Sequence, residues 1–93
     1  MYAFSFTGDS SGAADNIQLP QDFPAGKKLV LVRPPAGHAW TAYGPTGATG
    51  YPLDPDREFP FKREPEQAPF VAGEVIGRVA LDSGSGTFYG CAP

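Results

Sequence analysis

Few residues here have the types that do chemistry, and they are scattered. Gly8-Asp9-Ser10-Ser11-Gly12 has the composition of a serine nucleophile's surroundings. That chemistry also needs a base and an acid to orient it. The only histidine, His38, falls in a strand-like stretch with no carboxylate placed to orient it. A polar hairpin turn therefore accounts for the Gly8–Gly12 run. Asp54, Asp56 and Glu58 alternate, which puts three carboxylates on one side of an extended segment. Hard cations take several such oxygens. Pro55 interrupts the run, and no calcium-loop glycine or downstream Glu accompanies it, so a solvated acidic loop answered by Arg57, Lys62 and Arg63 is the competing reading. The single thiol, Cys91, excludes an internal disulfide and a multi-cysteine metal site, and its position suggests at least half-exposure.

Rings are more plentiful than reactive groups. Trp40 and Tyr43 fall on opposite faces of one alternating stretch, with Trp40 the core anchor. Tyr43 precedes Gly44-Pro45 and is better placed to meet a ligand. Tyr51, Phe59 and Phe61 follow it. These rings either stack on a ligand such as a sugar, with nearby carboxylates accepting from its hydroxyls, or pack their own loop down as a satellite cluster.

Strands must position these residues. Tyr2–Thr7 alternates with Tyr2, Phe4 and Phe6 on one face, which predicts a strand with an aromatic buried side. Asn16–Leu19 predicts a short strand ended by Pro20. Leu29–Val32 is continuously apolar, as in a strand covered on both faces. His38–Tyr43 alternates again. Gly44–Phe70 is proline-rich and reads as one long irregular loop; its glycine every third residue from Gly44 to Gly50 is too brief for a collagen helix. Ala72–Leu81 predicts the longest strand, with Val75, Gly77, Val79 and Leu81 inward and Ile76 outward. Asp82–Gly86 is a turn, and Thr87–Tyr89 a last short strand. Six strands and no helix give an all-β, small jelly-roll-like β-sandwich formed by residues 1–93 as a single domain.

Composition narrows the partners. The chain has 93 residues, 41% of them hydrophobic, which is too apolar for a disordered segment. A domain this small buries a modest core, so association with further copies would help it. A net charge of −3 repels phosphate and argues against nucleic acid. No apolar run approaches the length of a membrane helix, and the N-terminal stretch lacks the pattern of a signal peptide. The expectation is a soluble protein, cytoplasmic or exported by a non-standard route.

The run W-T-A-Y-G-P-T-G-A-T-G-Y-P-L-D-P-D-R-E-F-P, from Trp40 to Pro60, followed by G-E-V-I-G-R-V-A-L, resembles the PA-I (LecA)-type calcium-dependent galactose-binding bacterial lectins. That family has a similar A-S-Y-G-P strand end, a D-R-E-H-P loop and an apolar strand opening with glycine. P-A-G-K-K-L-V-L-V also sits where the family has a strand after Pro-Gly. The similarity runs in order from about Tyr2 to Pro93, and its specific part is Trp40–Pro60. It implies a jelly-roll sandwich that binds a sugar at one edge through calcium. Tyr43 matches the tyrosine whose backbone carbonyl ligates calcium. Phe59 stands where a sugar-contacting histidine stands, and Lys62 where a glutamine does. The family's other calcium ligands lie in an Asp-Thr-Asn-Asn loop. This sequence ends at F-Y-G-C-A-P without one, so calcium would need its remaining ligands from another chain.

Together these readings predict a non-catalytic, lectin-like protein that contacts a glycan through Tyr43, Asp56, Phe59 and Lys62. Calcium is the implied cofactor, with Tyr43 the metal contact, and a homo-oligomer the implied assembly. The opposing expectation is a structural or protein-interaction module that keeps the sandwich without the sugar.

Overall fold

A computed structural model describes residues 1–93. Eight strands and no helix are present: β1 (Tyr2–Asp9), β2 (Asp15–Gln18), β3 (Leu29–Arg33), β4 (Trp40–Tyr43), β5 (Gly50–Leu53), β6 (Phe59–Lys62), β7 (Val75–Leu81) and β8 (Ser85–Ala92). They form two four-stranded antiparallel sheets, ordered β1-β8-β3-β6 and β2-β7-β4-β5. Each of the first four strands pairs with one of the last four, in reverse order, so the chain is a long double ribbon rolled into a jelly roll. The all-β sandwich expected from the alternating pattern is what forms.

The ribbon rolls because its apolar residues sit on one side. Tyr2, Phe4 and Phe6 turn inward from β1 while Ala3, Ser5 and Thr7 face out. Ile17, Val30, Val32, Trp40, Ala42, Phe61, Val79 and Phe88 are all buried in one continuous core between the sheets. No charged or polar side chain is buried there. The core is therefore held by apolar burial and ring contacts. Phe88 stacks on Phe6 at 5.2 Å and meets the edge of Trp40 at 5.5 Å.

Several elements depart from the sequence expectation. Gly44–Phe70 is not all loop, because it contributes two strands, β5 and β6, each at the edge of its sheet. Pro52 and Pro60 hide them in the sequence. On an edge strand, a missing N–H need not cost a ladder bond. The strand predicted from His38 begins at Trp40, and that predicted from Ala72 begins at Val75. The last strand is eight residues long rather than three, and it lies between β1 and β3. Its glycines mask it, yet they permit close packing: a Cβ at Gly90 would stand 2.6 Å from Phe4 Cε1. Ile76, expected outward, is buried, because the ladder with β2 slips between Ile17 and Gln18. That slip leaves Ile76 as the extra residue of a bulge and turns it inward beside Gly77. The Gly8–Gly12 run is not a hairpin turn: β1 continues through Asp9, and the residues after it turn a corner, since β1 and β2 belong to different sheets.

Gly77 is the least forgiving of these points, because one of its close neighbours is backbone. A Cβ there would sit 2.8 Å from the Tyr43 carbonyl oxygen and would collide with the Phe61 ring. The carbonyl is backbone and cannot swing away. Gly77→Ala is expected to lower the unfolding free energy by about 1–3 kcal/mol, the usual cost of overpacking. Urea denaturation followed by Trp40 fluorescence measures it, and an unchanged midpoint contradicts the packing described.

Candidate functional site

β5 and β6 are the edge strands on the same side of the sandwich, one from each sheet. Between them the sandwich is open. A cleft of about 680 Å³ lies there, walled by Tyr43, Gly50 and Tyr51 on one side and by Phe59–Glu64 on the other, with Ile76 and Phe70 deeper in. Tyr51 and Phe59 face each other across it, ring centroids 5.5 Å apart at 52°. Phe59 in turn meets the edge of Phe61 at 4.9 Å, and Phe61 is buried. The rings thus grade from sealed to solvent, with Tyr51 60% exposed.

Each wall is braced by an arginine. Arg78, on β7, donates from Nε to the Gly44 carbonyl at 3.0 Å and from its terminal nitrogen to the Gly47 carbonyl. Its guanidinium also lies over the Tyr43 ring, 5.2 Å from the centroid. One side chain therefore fixes the glycine-rich Gly44–Thr49 connection and orients Tyr43. On the opposite wall, Arg63 lies over the Phe70 ring at 4.6 Å and pairs with Glu74. Gln67 accepts from the Glu64 N–H at 2.7 Å, closing a small turn.

Of the residues expected to contact a ligand, Tyr43, Phe59 and Lys62 come together around this cleft. Asp56 does not. It sits before β6, at the other end of that strand, in a turn closed by Arg57 N–H to the Asp54 carbonyl at 3.2 Å. Its φ is 64°, and its carboxylate accepts from the Gly37 N–H at 3.0 Å. There Asp56 borders a second groove of about 810 Å³, with Arg33, Glu58 and Tyr89. The acidic run is answered by Arg33, which reaches Glu58 at 3.6 Å, and not by Arg57, Lys62 or Arg63. Glu64 and Gln67 line the cleft and were not singled out from sequence, and Arg63, expected to answer the acidic run, lines it as well. They follow β6 directly, and once Phe59–Lys62 is read as a strand their place beside it follows.

The Tyr43 carbonyl lies over Gly77 in β7. No three His, Cys, Asp or Glu side chains gather anywhere in the chain in a way that holds a metal ion. Calcium takes six to eight oxygens, of which the Tyr43 carbonyl would be one.

His38 does have a carboxylate partner, contrary to the sequence reading. Its Nδ1 lies 2.9 Å from Asp82 Oδ1. The two are 44 residues apart, so only the fold joins them. No hydroxyl or thiol hydrogen-bonds to His38, so the pair lacks the nucleophile of a triad. It clasps the β3–β4 connection to the β7–β8 turn, which the Asp82 N–H also reaches by donating to the Ala39 carbonyl at 3.1 Å.

No protein-family model, curated protein or solved structure matches this chain. No helix is long and apolar enough to cross a membrane.

The hydrogen bond from His38 holds the Asp82 carboxyl below its usual 3.8. A depressed carboxyl contributes stability above the unfolded value and loses it as pH falls through the folded one. Wild-type stability should therefore fall as pH drops below about 4, and Asp82→Asn should flatten that part of the profile. Urea midpoints at pH 7 and pH 3 give the comparison. An equal acid loss in the variant refutes a role for this pair.

Proposed function

We propose that the cleft between β5 and β6 binds a glycan, and that the protein is a non-catalytic, lectin-like binder. One observation carries the reading. Tyr43, Tyr51, Phe59 and Lys62 converge on one open cleft, with rings on both walls. Several polar groups there have no partner within the chain: the hydroxyls of Tyr43 and Tyr51, the Lys62 ammonium and the Glu64 carboxylate. A sugar offers an apolar C–H face to rings and hydroxyls to such groups. Glu64 then takes the acceptor role that Asp56, at the far end of β6, cannot fill.

The edges of the cleft favour a compact ligand over an extended peptide. A peptide adding to a sheet edge relies on main-chain N–H and C=O groups. Pro52 and Pro60 lie in the two edge strands, and neither supplies an N–H. A sugar makes no such demand. Calcium, where it takes part, requires oxygens beyond the Tyr43 carbonyl.

A glycan array with and without chelator finds the ligand class and any calcium dependence. Calorimetry on Tyr51→Ala should then show affinity down by about tenfold or more, roughly 1.4 kcal/mol. Its melting temperature should hold, because Tyr51 is 60% exposed. Glu64→Gln should weaken binding without touching the core. Absence of binding to every glycan removes the proposal and favours an interaction module; binding untouched by both variants moves the site away from the cleft.

A further inference from the structure

The sandwich has four edge strands, and three are guarded. β5 and β6 carry prolines, and β2 is only four residues long. Each is a known device against edge pairing. β1 has none of them. It is eight residues long, pairs with β8 in unbroken register from Tyr2 to Asp9, and carries no proline and no charge before Asp9.

Its free side can be assigned atom by atom. Ser10 N–H donates to the Gly84 carbonyl at 3.0 Å, and these two residues continue the β1–β8 register. In an antiparallel ladder, hydrogen-bonded pairs alternate with non-bonded ones. Gly8, Phe6 and Phe4 therefore turn their backbone groups to β8, and Ala3, Ser5 and Thr7 turn theirs away. Asp9 obeys the same alternation, because its N–H is taken by Asp15 Oδ2 at 2.9 Å. No loop or side chain of this molecule caps Ala3, Ser5 or Thr7.

From this we infer that β1 pairs with β1 of a second copy of the chain, antiparallel about a two-fold axis at Ser5. That register sets Ser5 against Ser5 and Ala3 against Thr7, so every free N–H and C=O of the three residues finds a partner. A shift by two residues toward Asp9 sets Ala3 against Asp9, whose N–H is already taken, and the opposite shift moves Thr7 onto the chain-terminal Met1. The inner face agrees, because Phe4 of one copy falls beside Phe6 of the other, and aromatic cross-strand pairs are favourable. The outer face agrees too, because Ala3, Ser5 and Thr7 are small and uncharged. A two-fold axis makes such a contact closed, so it stops at a dimer. β6 is the opposite edge of the same sheet, and both clefts stay open at the two ends of the merged sheet. The dimer stands on the strand edge alone and does not depend on the glycan reading.

Light scattering behind size-exclusion chromatography tests it at about 100 μM chain, since a small interface sits at the weak end of association. The expected mass is twice 9.8 kDa. Ser5→Pro removes an N–H that points away from β8 and places its ring on the free edge. It should give a folded monomer, checked by circular dichroism, while Ser5→Thr stays dimeric. Amide hydrogen exchange on the wild type gives a reading that needs no variant: Ala3, Ser5 and Thr7 should be protected, and should exchange at least tenfold faster on dilution to monomer. A wild-type monomer at that concentration overturns the inference. So does a dimer in which those three amides exchange freely, or a folded Ser5→Pro protein that remains dimeric.

Discussion

The packing of Trp40 between two parts of the chain is the constraint on which the rest depends. Trp40 leaves β4 in one sheet and meets Phe88 of β8 in the other, edge to ring at 5.5 Å. Its indole Nε1 donates to the Arg57 carbonyl at 2.9 Å. The apolar body thus joins the two sheets, and the one polar atom holds the crossing from β5 to β6. A core with no buried polar side chain has little else to set direction, since apolar burial is non-directional. Together with the Gly37 N–H on the Asp56 carboxylate, this hydrogen bond fixes where the crossing turns before Phe59 starts β6.

The cleft follows from that placement. Two edge strands from different sheets, joined by a crossing of a few residues, cannot both be covered by the core they flank. What remains between them is a slot with an apolar floor, Ile76 and Phe70, and half-exposed rings at its mouth. The bulge that turns Ile76 inward supplies part of that floor. Gly77 beside it leaves room for the Phe61 ring to pack close against β7. Packing that closes the core and geometry that shapes the slot are therefore the same contacts. Arg78 and Arg63 are different in kind. Each sets a guanidinium on a ring and hydrogen-bonds to loop carbonyls, fixing a wall without adding to the core.

Much of this was legible in the residues. Period-two alternation gave the inward face of β1 and the buried Trp40, because strands bury every second side chain whatever their partners. It could not give β5, β6 or the full length of β8. Proline and glycine count against a strand only where ladder bonds or side-chain packing are needed, and which strand is an edge is decided by topology. Ile76 was misplaced because a bulge inverts the alternation and leaves no mark in a single sequence. Tyr43 and Phe59 stood out by ring type and position and Lys62 by the family resemblance, and the fold sets all three beside one cleft. Asp56 was grouped with them by nearness along the chain, and a turn with positive φ carried it to the other end of β6. The His38–Asp82 contact spans 44 residues and is invisible without the fold.

Chemical-shift mapping on ¹⁵N-labelled protein, titrated with galactose and then with larger galactosides, addresses the cleft directly. If rings and free polar groups between β5 and β6 take the sugar, the amides of Thr49–Tyr51 and Phe61–Glu64 shift and saturate. Those of Asp56 and its groove with Arg33 and Tyr89 stay still. Shifts confined to the Asp56 groove, or none at all with any sugar, would contradict the account.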